Sequence, residues 1–234
     1  MITIRPAGER GHAERGWLDS WHSFSFADYH DPHWMGYGPL RVINEDRVVA
    51  GAGFPPHSHH DMEIISYVLE GALRHRDSTG GGSVIRPGEV QLMSAGRGIS
   101  HSEMNDSQTA PVHFLQIWIV PDRTGIAPGY QQKALDREAL RAGFALAAAP
   151  EGENAPLRLQ QDARLWVAWP AAGQTLRREL RAGRRHYLHV ARGVVKTASG
   201  TLDAGAAAML ESESILELSA ESPAELLLFE LPAA

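Results

Sequence analysis

The sequence predicts an all-β protein built from short antiparallel strands, and three observations carry that reading. Runs that alternate apolar and polar residues, such as VHFLQIWIV, are separated by Gly, Pro, Asn and Asp about every 8 to 12 positions. One stretch, QQKALDREALRAGFALAAAP, has high helix propensity, through Arg141, so helices should be few and short. From Gln174 onward the strand rhythm starts afresh, as TLRREL, HYLHVARG, VVKTASG, AAMLES, SILELSA and AELLLFEL. Such a pattern indicates antiparallel barrels or sandwiches.

A chain of 234 residues can form one large β domain or two small ones with a sizeable core. Hydrophobic residues at 43% and charged residues at 21% are those of an ordinary globular protein. The net charge of −6, with no basic stripe, argues against nucleic acid as a direct partner. Cysteine is absent, which excludes disulfides and thiolate ligation and suits a reducing compartment. The opening MITIRPAGERGHAERG lacks the apolar core of a signal peptide, and no window approaches the roughly 18 apolar residues of a membrane span. A cytoplasmic protein with no membrane partner is expected.

Taken in order, ITIRP reads as a short β piece. Trp17, Trp21, Phe24, Phe26, Tyr29, Trp34 and Tyr37 follow in a cluster that is expected to pack the end of a barrel rather than stack a substrate. His12, His22, His30 and His33 have no ligand spacing and read as structural histidines. LRVINEDRVVA reads as two strand pieces around a turn at Asn44, Glu45 and Asp46. Pro55 and Pro56 favour extended backbone ahead of His57, His59 and the strand EIISYVLEG. ALRHRDSTGGGSVIRPGEVQLM is a hairpin turning at Gly80–Gly82, and Asp122–Tyr130 reads as the passage between domains. A short helix is expected before Arg141, strands resume from about Phe144, and a loop spans Glu151–Pro156 before two strands around Asp162.

Ten of the twelve histidines lie within the first 113 residues, which places the chemistry in the N-terminal half. Residues i and i+2 of a strand share a face, about 6.6 Å apart. His57 and His59 therefore point one way, as do His101 and Glu103. If those strands lie side by side, three imidazoles and one carboxylate converge on a point fit for a divalent transition metal, with two of six octahedral positions open. Each ligand imidazole must be neutral, so metal should be lost steeply as pH falls through the histidine range. His60 should face outward, and His186 and His189, three apart, fall on opposite faces. The glycines at 80–82 lack what a phosphate loop needs, and no nucleophile elbow is present.

The two blocks resemble the paired motifs of the cupins. Gly51, His57, His59 and Glu63 fit the first, with Gly71 one residue late; Gly88, Gly96, His101 and Asn105 follow the second, with Ser94 where Pro is usual and two extra residues before His101. The run RGHAERGWLDSWHSFSFADYHDPHWMGYGPLRVINED resembles the opening of the pirin family, which also carries H-x-H-x-D-M-E-I and H-S-E at these places, and the similarity covers about the first 130 residues. That resemblance implies a bicupin, two jelly-roll β-barrels packed face to face. Residues 1–129 would be the metal-binding domain and 130–234 a degenerate, metal-free one. It implies one divalent metal held by His57, His59, His101 and Glu103, usually Fe(II), with Mn, Ni, Co, Cu or Zn able to substitute. Glu63, the ligand in many cupins, would then be a structural carboxylate or one that orients a ligand histidine. The implied activity is that of a quercetin 2,3-dioxygenase, which opens a flavonol with O2 and releases carbon monoxide, Glu103 taking the hydroxyl proton. The other reading is a non-enzymatic regulator whose metal state governs its affinity for a protein partner.

Overall fold

The computed structural model describes residues 2–233. Its strands are β1 (Ile2–Arg5), β2 (Gly11–Glu14), β3 (Leu18–His22), β4 (Leu40–Val48), β5 (Gly53–His59), β6 (Glu63–Glu70), β7 (Leu73–Asp77), β8 (Gly82–Ile85), β9 (Glu89–Ser94), β10 (Ile99–Asn105), β11 (Val112–Ile119) and β12 (Gly129–Ala134). After helix α1 (Arg137–Ala142) come β13 (Ala145–Pro150), β14 (Leu157–Leu159), β15 (Arg164–Ala168), β16 (Thr175–Glu179), β17 (Arg185–Arg192), β18 (Val195–Thr197), β19 (Gly200–Leu202), β20 (Ala207–Glu211), β21 (Ile215–Ala220) and β22 (Glu225–Leu231). The short helix is fixed at its start by Asp136, whose carboxylate accepts from the Glu138 and Ala139 amides. No helix among the described residues is long and apolar enough to cross a membrane.

The chain divides into two compact units. One comprises Gly11–Ala134 with Leu159–Gln161; the other comprises the chain up to Arg10, Leu135–Arg158 and the chain from Asp162 on. The first has a seven-stranded sheet, β12-β9-β6-β11-β4-β3-β2, over a four-stranded one, β5-β10-β7-β8. The second repeats this order strand for strand, as β1-β20-β17-β22-β15-β13-β14 over β16-β21-β18-β19. All the sheets are open, so each unit is a two-sheet sandwich of the jelly-roll kind, with no closed barrel among the described residues.

The repeat has a local signature. Gly71 and Gly193 follow β6 and β17 at φ +78° and +79°, and a Cβ on either would collide with the carbonyl of Pro111 or Pro223. Both the left-handed backbone and the close approach require glycine. Leu18, Val68, Leu73, Ile85 and Phe114 fill the first sandwich between its sheets. The second is filled by leucines, including Leu176, Leu180, Leu216, Leu218 and Leu228.

Two boundary readings are corrected. The N-terminal strand β1 pairs with β20, from Ile2↔Leu210 to Arg5↔Ala207, and so belongs to the second unit. Asp122–Tyr130, read as the passage between domains, lies within the first unit, and its last two residues open the strand Gly129–Ala134 that pairs with β9. Neither pairing is local in sequence, and an isolated ITIRP carries no sign of which sheet edge it will complete.

Candidate metal centre

The site is built on β5 and β10. These pair antiparallel with Ile99 opposite His59 and His101 opposite His57; then β5 spends three steps, Phe54 to His57, against two on β10. Pro55 and Pro56 occupy this bulge on an edge strand, where missing N–H groups cost no ladder bond. His57 and His101, directly opposed, and His59, two residues on, share one face by this register, and the extra residue brings Phe54, opposite Glu103, onto the same face. The imidazole centroids stand 4.8 Å (57–59), 4.4 Å (57–101) and 4.9 Å (59–101) apart, and one nitrogen from each lies within 4.8 Å of the other two.

Neighbouring groups fix which nitrogens are available. His57 Nδ1–H donates to the Pro55 carbonyl at 2.8 Å, leaving Nε2 its lone pair. On β7, His75 Nε2–H donates to Asp77 Oδ2 at 3.0 Å, which makes His75 Nδ1 an acceptor. His101 Nδ1–H points to that acceptor across 3.4 Å, so the lone pair of His101 also falls on Nε2, a buried atom with no hydrogen-bond partner among the described residues. Burial, aided by the neighbouring imidazoles, lowers His59 to about 4 and His101 to about 3, so both rings are neutral near pH 7. Three converging imidazoles, one with an orphaned buried nitrogen, fit a divalent transition metal.

Glu103 enters by a different route. Its ligand oxygen lies within 4.8 Å of nitrogens of His75 and His101, a second group that shares His101 with the first. Gln116 Nε2–H donates to Glu103 Oε2 at 2.5 Å, and Ser66 Oγ stands 2.9 Å from both Glu103 Oε1 and Gln116 Oε1. When Glu103 is protonated the three close a ring in which each donates once and accepts once. Burial, with Asp46 adding to it, raises the carboxyl to about 7. Glu63 belongs to neither group: its carboxylate accepts from the Gln160 amide at 3.1 Å and from Ser94 and so anchors the 159–161 segment, the structural role of the two read from the sequence.

A cavity of about 450 Å³ opens beside His57, His59 and Glu103. Trp17, Phe26, Phe54 and Trp118 form apolar walls, while Ser20, His22, Asn44 and Asp46 line another side. Ser20 Oγ donates to Asp46 Oδ1 at 2.5 Å and stands 2.9 Å from His22 Nε2. Burial raises Asp46 to about 7, with Glu45 and Asp19 adding and Ser20 opposing.

Several sequence readings change here. Asn44, Glu45 and Asp46 are not a turn but the middle of the unbroken strand β4, buried and paired with β3 and β11. A run of polar residues looks like a turn when the surface it faces is unknown. His22, read as structural, lines the cavity, as do Trp17 and Phe26 of the aromatic cluster. His75 and Asp77 were missed altogether, although their i, i+2 spacing in LRHRD was a readable sign that both face one way. His60 is exposed, as expected.

In the second unit, the pairing of β16, β18 and β21 puts Arg178, Leu180, Leu216 and Leu218 where the first has His57, His59, His101 and Glu103. The three leucines are core residues.

Residues 3–119 match the family described as Pirin, and residues 146–231 match one described as a quercetinase C-terminal cupin domain. The chain is 43% identical over 232 residues to a protein of Escherichia coli (strain K12) named quercetin 2,3-dioxygenase, covering 99% of both. The crystal structure of YhhW from Escherichia coli superposes with a TM-score of 0.95 at 43% identity, covering 100% of this chain and 99% of that one. A structure of the bacterial pirin YhhW from Escherichia coli in complex with nickel(II) gives a TM-score of 0.94 at 41% identity, with 100% of each chain covered.

Proposed function

Because the chain belongs to the pirin family of the cupin superfamily, we infer that it is a metal-dependent dioxygenase that opens a flavonol such as quercetin with O2 and releases carbon monoxide. The observation that supports this reading most directly is a cluster of three imidazoles with a buried carboxylate close by, beside a cavity with aromatic walls. The name of the relative above and the nickel(II) in a solved neighbour support it at the level of the family.

In this reading His57, His59, His101 and Glu103 hold one divalent metal, Fe(II) by preference, with Mn, Ni, Co, Cu or Zn as alternatives. When bound, the metal supplies Lewis-acid polarisation of the substrate's oxygens. Trp17, Phe26, Phe54 and Trp118 bury the flat rings and exclude water from them. Glu103, which faces the cavity, takes the proton of the 3-hydroxyl. Gln116 and Ser66 hold that carboxyl in place before and after it gains the proton. The absence of cysteine is in keeping with a cytoplasmic setting.

Oxygen uptake, carbon monoxide release and loss of flavonol absorbance on metal-loaded and metal-stripped protein test the reading. Quercetin is expected to be consumed by the loaded protein alone. A flavone without the 3-hydroxyl should bind and survive, since it keeps the ring area and loses the group that Glu103 deprotonates. Equal decay of quercetin with and without metal would be spontaneous oxidation and would sink the proposal.

A further inference from the structure

A row of polar side chains crosses the inner face of the first unit's large sheet. Strand pairing sets His22 opposite Asn44, Asn44 opposite Gln116, Gln116 opposite Ser66 and Ser66 opposite Gln91. All five are buried, and Asp46 and Ser20 lie beside the row as a directly opposed pair.

The second unit provides an internal control for what the fold itself requires. Gln116 and Leu228 are each the fifth residue after the proline whose carbonyl meets the turn glycine, Pro111 and Pro223. From Leu228 the corresponding row reads Leu146, Trp166, Leu228, Leu188 and Ala208. Asp46 corresponds to Ala168. The same topology thus closes over an apolar row, and the polar one answers to something other than folding. Part of it is already used, since Gln116 and Ser66 hold Glu103. The part nearer β3 is not. Asn44 Oδ1 is buried without a hydrogen-bond partner among the described residues, and Asn44, Asp46, Ser20 and His22 all face the cavity.

We propose that Asn44 and Asp46 form a second recognition point in the cavity, accepting hydrogen bonds from ring hydroxyls of an aromatic ligand whose metal-directed oxygens lie at His57, His59 and Glu103. The proposal rests on the flavonol reading and specifies its substrate class as a polyhydroxylated aromatic rather than any flat apolar ring. A buried acceptor left unpaired by a ligand without the hydroxyl penalises that ligand, which makes this kind of contact a strong discriminator. Ser20, by donating to Asp46 Oδ1, orients that carboxyl.

The test is titration calorimetry under argon on the full chain loaded with nickel(II), so that no turnover intervenes. Quercetin is compared with 3-hydroxyflavone, which keeps the metal-directed oxygens and lacks the other ring hydroxyls. Wild type is expected to bind quercetin about tenfold or more tightly than 3-hydroxyflavone. In Asn44→Leu, which imitates the apolar row, and in Asp46→Asn, that ratio should fall to within about twofold while each variant still holds one metal per chain. Two variants with different side chains guard against a single misfolded one. A ratio near one in wild type, or a full ratio kept by both variants, overturns this inference and leaves the dioxygenase reading standing. A metal-loaded wild type that binds neither compound overturns both.

Discussion

Glu103 is a buried carboxyl raised to about 7, and that shift sets how metal affinity should vary with pH. Its metal-free form is protonated below about pH 7, whereas a ligand carboxylate must be ionised. Binding should therefore release one proton from Glu103 below that pH, and affinity should fall about tenfold per unit. His59 and His101, at about 4 and about 3, add their protons only further down, so burial takes them out of the ordinary histidine range. Metal titrations between pH 8 and pH 4 check this: Glu103→Gln should bind more weakly at pH 8 and lose the slope, while Glu63→Gln keeps it. The reverse order would move the ligand carboxylate to Glu63. His75 acts one bond further out. His75→Phe removes the acceptor that holds Nδ1–H of His101 and should weaken metal binding by about 10- to 100-fold, with a changed visible spectrum of the cobalt(II)-loaded protein. An unchanged spectrum and affinity would show that His101 needs no such partner.

Among the elements, β4 and β10 each bury three polar side chains, and those of β4 are consecutive. Asn44, Glu45 and Asp46 are all buried there, with His113 Nε2–H meeting Glu45 at 2.9 Å behind the cavity face. Each buried polar group left unpaired costs about 1–3 kcal/mol, so such a strand persists where its contacts serve binding. The turn glycines belong to this scale too. Gly193→Ala meets both a left-handed φ and the Pro223 carbonyl, and should destabilise the protein by roughly 1–3 kcal/mol in urea unfolding. Metal content should stay at one per chain, because β17 and β22 belong to the other unit from His57, His59 and His101. Loss of metal from a still-folded Gly193→Ala variant would contradict the division into units.

For the whole molecule, the notable connection is β1. It completes the edge of the second unit's large sheet at β20, the place β12 takes at β9 in the first. Deleting the chain up to Arg10 removes Ile2 and Ile4 from the second core and bares β20 as an edge. The truncated protein is expected to melt earlier and to aggregate, yet to retain metal in the fraction that remains folded. Unaltered melting would mean that β1 is dispensable to the second sandwich.

Strand alternation is a local rule, and what depends on it alone was legible: the shared faces of His57 with His59 and of His101 with Glu103, the strand rhythm of both halves, and the short helix that Asp136 starts. The glycines of the two motif blocks were legible for the same reason, since a left-handed φ is a demand made at one residue. Pairing and facing are not local. The β5–β10 register that sets two imidazoles beside a third, the hydrogen bond from His101 to His75, the docking of β1 on β20 and the strand that looked like a turn at Asn44–Asp46 each depend on which strand lies alongside. A polar residue has the same local chemistry whether it faces water or a cavity. Only the neighbouring strand decides which of these it meets.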